Sequence, residues 1–263
     1  MKPNSAKKIL NAGGLTLGTW LSLGNILAAR LLARAGFAWL TVDMEHSAWD
    51  WEQASQTFAA IAEAGCVPLA RIPANRHDYI KRALDLGAMG VVVPMVNSVE
   101  EAKAAVAACK YPPKGNRSVG GNLHALNFGA TSTSYYAKAD DEILIVLQCE
   151  HIAAVERADE IFRVPGIDAI FVGPNDLAAS LRGPDGSPPK ADLIQKTQKR
   201  ILEACQKAGV APGIHCFSPD EAKRRSEEGW RFLAINSDLR FLLEGAILAL
   251  KPFRAAGMDL GEY

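Results

Sequence analysis

Short apolar runs rich in β-branched residues alternate along this chain with longer stretches of helical period, which is the sequence mark of parallel βα units. Strands are predicted at Leu15 to Leu21, Trp39 to Asp43, Val67 to Arg71, Gly90 to Pro94, Ile143 to Gln148, Asp168 to Val172, Ala211 to His215 and Phe232 to Asn236, eight in all. Between them lie amphipathic stretches such as Trp51 to Ala64, Val99 to Cys109, Ala191 to Ala208 and Asp220 to Glu228. Gly87, Gly209 and Gly229 stand where helices would close. Eight such units favour a closed (β/α)8 barrel over an open doubly wound sheet, which would more readily carry a GxGxxG fingerprint after its first strand. No such fingerprint is present. The stretch from Tyr111 to Asp140 is too long for an ordinary connection and rich in Gly, Ser, Thr and Asn, so it is read as a long loop that covers a site or contacts another subunit. The run Gly183 to Pro189 is a turn-rich loop by composition.

Composition narrows the class. A length of 263 residues suits one barrel domain. Lys+Arg and Asp+Glu balance at 29 each, which gives no electrostatic case for a nucleic-acid partner. No long apolar stretch follows the lysines near Met1, so neither a signal peptide nor a membrane span is indicated, and a cytoplasmic protein is expected. The five cysteines (Cys66, Cys109, Cys149, Cys205 and Cys216) are odd in number and lack CxxC spacing, which points to reduced thiols.

In barrels of this kind the active site lies at the C-terminal ends of the strands, and the polar residues of this chain concentrate there. The second strand ends in Asp43 and runs into Glu45 and His46, the third ends in Arg71, and the fifth ends in Gln148 followed by Glu150. Gly173, Pro174, Asn175 and Asp176 follow the sixth. Glu150 and Asp176, from neighbouring strand ends, could share one hard divalent cation, although Asp176 could equally cap the next helix and Glu150 be a loop charge. Oxygen ligands favour Mg²⁺ or Mn²⁺, with Co²⁺ or Zn²⁺ able to substitute. The guanidinium of Arg71 suits a substrate carboxylate, or else an internal ion pair with Asp43, Glu45 or Asp85. His46 suits a general base, and Asp85 could orient its imidazole across a subunit boundary. Trp20 could wall a pocket or fill the core. His77, His124, His151 and His215 read more simply as structural groups, and Cys149 as a packed thiol.

An aldol or retro-aldol step needs an enolate stabilised, commonly by a Schiff-base lysine or by a metal. No predicted strand ends in lysine, so the metal route fits better. A 2-oxo acid could chelate the cation through its carboxylate and keto oxygens.

The chain resembles the HpcH/HpaI family of class II, pyruvate-dependent aldolases, whose barrel is of the phosphoenolpyruvate/pyruvate superfamily type. The resemblance rests on GTWLSLGN, AGFAWLTVDMEH, PLARIP, DLGAMGVVVPMVNSVEEA, YPPKGNRS, QCE and FVGPNDLAASL, in that order along most of the chain. It implies cleavage of 4-hydroxy-2-oxo acids to pyruvate and an aldehyde, and a homo-oligomer, commonly a hexamer, that exchanges its C-terminal helix between subunits. It also implies metal carboxylates at Glu150 and Asp176, a base at His46 partnered by Asp85, and a pyruvate-binding Arg71. Gln148 would lie near the keto oxygen and the amides around Gly173 and Asn175 would receive the carboxylate. This chain departs from the common pattern at Gly120, Gly121, Asn122 and His124, and at His151 after the metal glutamate, which leaves the aldehyde partner open. Two other readings stand beside this one: a lyase of the same superfamily acting on malyl or citramalyl thioesters or on phosphoenolpyruvate, and a catalytically silent barrel that serves as a binding module. The presence of His46, Glu150 and Asp176 together weighs against the last.

Overall fold

In the computed structural model, whose described residues are 1–258, the predicted apolar runs are strands that close in chain order into one parallel barrel. They are β1 (Thr16–Leu21), β2 (Trp39–Asp43), β3 (Val67–Arg71), β4 (Gly90–Val93), β5 (Leu144–Gln148), β6 (Ala169–Val172), β7 (Ala211–Cys216) and β8 (Phe232–Ser237). Closure is direct: Gly18 of β1 lies opposite Trp39 of β2 on one side and Ala234 of β8 on the other. Around the strands run α1 (Ser5–Asn11), α2 (Ile26–Leu32), α3 (Trp51–Glu63), α4 (His77–Asp85), α5 (Val99–Cys109), α6 (Leu123–Asn127) and α7 (Ser132–Glu142). They continue with α8 (Ile152–Glu156), α9 (Ala158–Ile161), α10 (Pro174–Ser180), α11 (Ala191–Ala208), α12 (Pro219–Glu228) and α13 (Asp238–Ala255). The expected (β/α)8 barrel is therefore the fold, but the segment from Tyr111 to Asp140 is not a plain loop, because it holds α6 and most of α7.

Local chemistry sets the helix ends. The side chains of Asp50, Ser98, Thr131 and Ser218 accept from backbone amides at the starts of α3, α5, α7 and α12. Gly209 and Gly229, at φ of 72° and 109°, end α11 and α12 in the left-handed conformation that glycine adopts without a Cβ clash.

Aromatic rings fill the barrel. Trp39 of β2 stacks on Phe232 of β8 with centroids 4.1 Å apart, and Phe171 of β6 meets Phe232 edge-on at 5.9 Å. Since these strands are not neighbours, the rings can meet only inside. Gly18 makes the stack possible, because a Cβ there would lie 2.1 Å from the Trp39 ring.

The N-terminal end of the barrel is closed by α1. Asn4 donates to the carbonyls of Met89 and Glu142, and Lys7 reaches the Ile143 carbonyl at 2.7 Å and the Asp168 carboxylate at 3.1 Å. These partners precede β4, β5 and β6, so the helix lies across the strand starts and satisfies groups the sheet leaves over. At the other extreme of the chain, α13 exposes Leu239, Leu242, Leu248 and Phe253, with only Asp238 buried. Among the described residues no helix is long and apolar enough to cross a membrane. All five cysteines are buried thiols.

Candidate active site

A cavity of about 240 Å³ opens at the C-terminal ends of the strands, where Trp20, Asp43, His46, Arg71, Gln148, Glu150, Gly173, Asn175 and Asp176 line it together. Register explains this convergence. Asp43 pairs with Arg71 at the ends of β2 and β3, and Gln148 ends β5 opposite Phe171 of β6, so these polar side chains stand at the strand ends that line the cavity.

Arg71 is held before any ligand arrives. Its Nε donates to Asp43 Oδ1 at 2.9 Å and its Nη2 to Asp43 Oδ2 at 2.5 Å, while Nη1 lies 3.4 Å from Glu45 Oε2. The internal pair therefore exists with Asp43 and Glu45, and it does not involve Asp85. The fork on Asp43 uses one edge of the guanidinium and fixes its plane, leaving N–H groups on the other edge. Trp20 supports it from below, with the guanidinium carbon 4.8 Å from the ring centre. Asp43 also accepts from the amides of Glu45 and His46 at 3.1 and 3.2 Å, and Ser47 Oγ donates to its carbonyl. One carboxylate thus sets both the arginine and the turn that carries His46. That histidine is well exposed, with Nε2 3.9 Å from Glu45 Oε2.

Glu150 is buried. Its Oε1 accepts from the Met95 amide at 3.0 Å and its Oε2 from Gln148 Nε2 at 2.6 Å. Met95 presents that amide from a left-handed backbone, φ 52°, which costs a residue with a Cβ about 1–3 kcal/mol. Burial pushes the Glu150 carboxyl up to about 7; the Met95 amide opposes the rise, while Asp176 and Glu45 add to it. Burial likewise raises Glu45, against the pull of Arg71. Carboxylates repelling one another in a cavity form an arrangement that a cation would relieve.

The space above Glu150 exists because residue 173 is glycine. A Cβ there would fall 2.4 Å from Glu150 Oε2 and 3.4 Å from Gln148 Nε2. Gln148 Oε1 is buried and has no hydrogen-bond partner. An open cradle beside one buried carboxylate, an orphaned amide oxygen, and Asp176 on the first turn of α10 together fit a hard divalent cation. Among the described residues no group of three or more His, Cys, Asp or Glu side chains is placed to hold a metal. Glu150 and Asp176 could therefore supply only part of a coordination shell.

The structure does not bring Asp85 into this cavity. Within one chain its carboxylate accepts from Arg117 Nη2 at 2.7 Å, in a separate cluster where the fully buried Arg117 lies over Tyr111 and Tyr135. His124 belongs to that cluster, its ring 4.2 Å from Tyr135 and its Nδ1 3.4 Å from the Asp85 carbonyl, and burial lowers its pKa. His151 caps α8, accepting from the Ala153 amide at 3.2 Å, and His77 lies 3.1 Å from the Asn116 carbonyl. Both therefore have structural partners. His215 is different, because it lines the cavity. The sequence places it with the structural histidines, although it ends the predicted seventh strand, which is the signal that could have found it.

Comparison with known proteins identifies the family. Residues 16–244 match the family model described as HpcH/HpaI aldolase/citrate lyase. A hydroxypyruvate/pyruvate aldolase of Paraburkholderia phytofirmans is 36% identical over 96% of this chain and 98% of its own length. A 4-hydroxy-2-oxovalerate aldolase of Rhodococcus jostii is 39% identical over 91% of this chain and 92% of its own. The crystal structure of a HpcH/HpaI aldolase/citrate lyase family protein from Burkholderia cenocepacia superposes with a TM-score of 0.86 at 35% identity, covering 95% of this chain and 99% of that one.

Proposed function

Because this chain belongs to the HpcH/HpaI aldolase/citrate lyase family and is an aldolase-type carbon–carbon lyase, we propose that it reversibly cleaves a 4-hydroxy-2-oxo acid to pyruvate and an aldehyde. Glu150 and Asp176 hold a divalent cation, Mg²⁺ or Mn²⁺, in this reading. The observation that carries it is the cradle over Gly173, where a buried carboxylate and an unpartnered amide oxygen meet space for a ligand. When bound, the cation supplies positive charge where the enolate oxygen develops.

The chain's own residues do the rest. Arg71, fixed by Asp43 and Glu45, offers its remaining N–H groups to the oxo acid, and the backbone amides around Gly173 and Asn175 at the start of α10 receive the carboxylate. Gln148 lies beside the keto oxygen and Trp20 closes the floor. In the cleavage direction His46 removes the proton of the C4 hydroxyl, the C3–C4 bond breaks, and its electron pair becomes the enolate of pyruvate. A proton delivered to C3 then completes pyruvate.

The exposed apolar face of α13 supports a homo-oligomer in which this helix docks on another copy, with a hexamer as the assembly proposed. In such an assembly Asp85 would meet His46 only from a neighbouring copy, since within one chain it faces Arg117. Five buried, unpaired thiols suit a reducing compartment, in keeping with a cytoplasmic enzyme.

The test is exchange of the pyruvate methyl protons in D₂O, followed by NMR, in chelator-treated protein with and without added Mg²⁺ or Mn²⁺. Exchange that requires the cation is expected. Equal exchange without it would remove the metal-assisted reading, and none under either condition would shift the assignment to a thioester lyase.

A further inference from the structure

The cavity has two unlike sides. Arg71, Gln148, Glu150, Gly173 and Asp176 come from the ends of β3, β5 and β6, and the aldolase reading gives them to the oxo acid. The other side is built from the β7, β8 and β1 ends by His215, Ser237 and Ser22. Ser237 is already engaged, accepting from the Arg240 amide as the cap of α13, and the Ser22 amide is taken by Asp238.

His215 has no such role inside the fold. Its ring packs at 5.0 Å from Phe217 and 6.5 Å from Trp20, and no hydrogen bond ties either nitrogen to another group among the described residues. Those contacts supply packing and leave the nitrogens to water or ligand. Burial, and secondarily the charge of Arg71, pulls the imidazole down to about 4. At pH 7 the ring is therefore neutral, with one N–H donor and one bare acceptor. Such a ring suits a hydroxyl, which can give and take a hydrogen bond, better than it suits a carboxylate, which can only accept. Arg71 and His215 both lie against the Trp20 ring, at 4.8 and 6.5 Å from its centre, so a substrate hydroxyl that reaches the imidazole is only a short way from the oxo acid and lies close to the aldehyde carbonyl.

Given the aldolase reading, on which this assignment rests, we propose that His215 is the specificity-determining residue for the aldehyde half of the substrate, and that it selects an α-hydroxyaldehyde. A site that hydrogen-bonds a substrate hydroxyl discriminates against the analogue that lacks it, because its own polar group is then left unpaired.

Glycolaldehyde and propanal differ only by a hydroxyl in place of a methyl and make the matched probes. The measurement is the ratio of their kcat/KM values in condensation with pyruvate by the metal-loaded wild type, His215→Leu and His215→Asn. A ratio taken within one preparation does not depend on how much of that preparation is folded. The wild type should favour glycolaldehyde by about tenfold or more, the leucine variant should lose that preference, and asparagine, which keeps a donor and an acceptor, should restore part of it. A wild type that exchanges pyruvate protons but shows no preference, or a leucine variant with the wild-type ratio, would overturn the proposal alone. A wild type without pyruvate exchange would overturn the aldolase reading and this proposal with it.

Discussion

The two ends of the barrel treat buried charge in opposite ways. At the N-terminal end Lys7 meets Asp168 at 3.1 Å and a carbonyl at 2.7 Å, and Asp168 also accepts from the Ile145 amide at 2.8 Å. Opposite charges are closed on each other there and nothing is left to bind. At the C-terminal end Glu45, Glu150 and Asp176 repel one another, Gln148 Oε1 has no partner, and Met95 holds a strained backbone to aim one amide. Like charges without a partner cation have been kept at the C-terminal end, and that end is where a ligand would relieve them.

Substitutions at the two ends should therefore read out differently. Arg71→Ala should lower metal-dependent pyruvate exchange by about a thousandfold, while Mn²⁺ affinity by calorimetry stays close to wild type. Near wild-type exchange would remove the anchor role of Arg71. At the opposite end Lys7→Met leaves Asp168 buried without its cation and should cost about 3 kcal/mol in denaturant unfolding, with the exchange rate per folded molecule unaltered. A large loss of exchange with unchanged stability would erase the division of labour between the ends. Gly173→Ala pushes a methyl toward Glu150 Oε2 from an unstrained backbone, so Mn²⁺ affinity should fall about 10–100-fold with stability nearly constant.

The smallest effect is one of pH. His215 binds its proton more weakly folded, at about 4, than unfolded, at about 6.5, so the unfolded chain binds more protons between these values. Stability associated with this residue is complete above about pH 6.5 and is lost as pH falls toward 4, by about 2 kcal/mol after allowance for partial exposure. As pH falls across that range the wild type should lose about 2 kcal/mol of unfolding free energy relative to His215→Leu. Parallel curves would show the ring to be more open to water than its packing implies.

The barrel was legible because strands buried on both faces are largely apolar, and in this chain most of the runs stop at a polar residue or a glycine. β2 and β3 are read to the residue, and β5 to within one. The helices that were missed are short or polar. α1 and α2 are seven residues each, too brief for periodicity to register, and α7, with its Ser, Thr and Tyr, has loop-like composition. Within the site, Trp20, His46, Arg71, Gln148, Glu150 and Asp176 could be named because strand ends mark them. Asp85 could not be placed by the same logic, since it ends a helix and its partner Arg117 lies 32 residues further on. The amide of Met95 was invisible for another reason: it acts through backbone, which no residue type announces.

The plug at the base of the barrel has a consequence for synthesis. Its anchoring groups, Asn4 and Lys7, find their partners at Glu142, Ile143 and Asp168. A ribosome adding about 5–20 residues per second needs on the order of ten seconds to make the last of these after the first has emerged. Through that interval α1 waits as an unanchored amphipathic segment, the first part of the chain to be made and among the later ones to find its place.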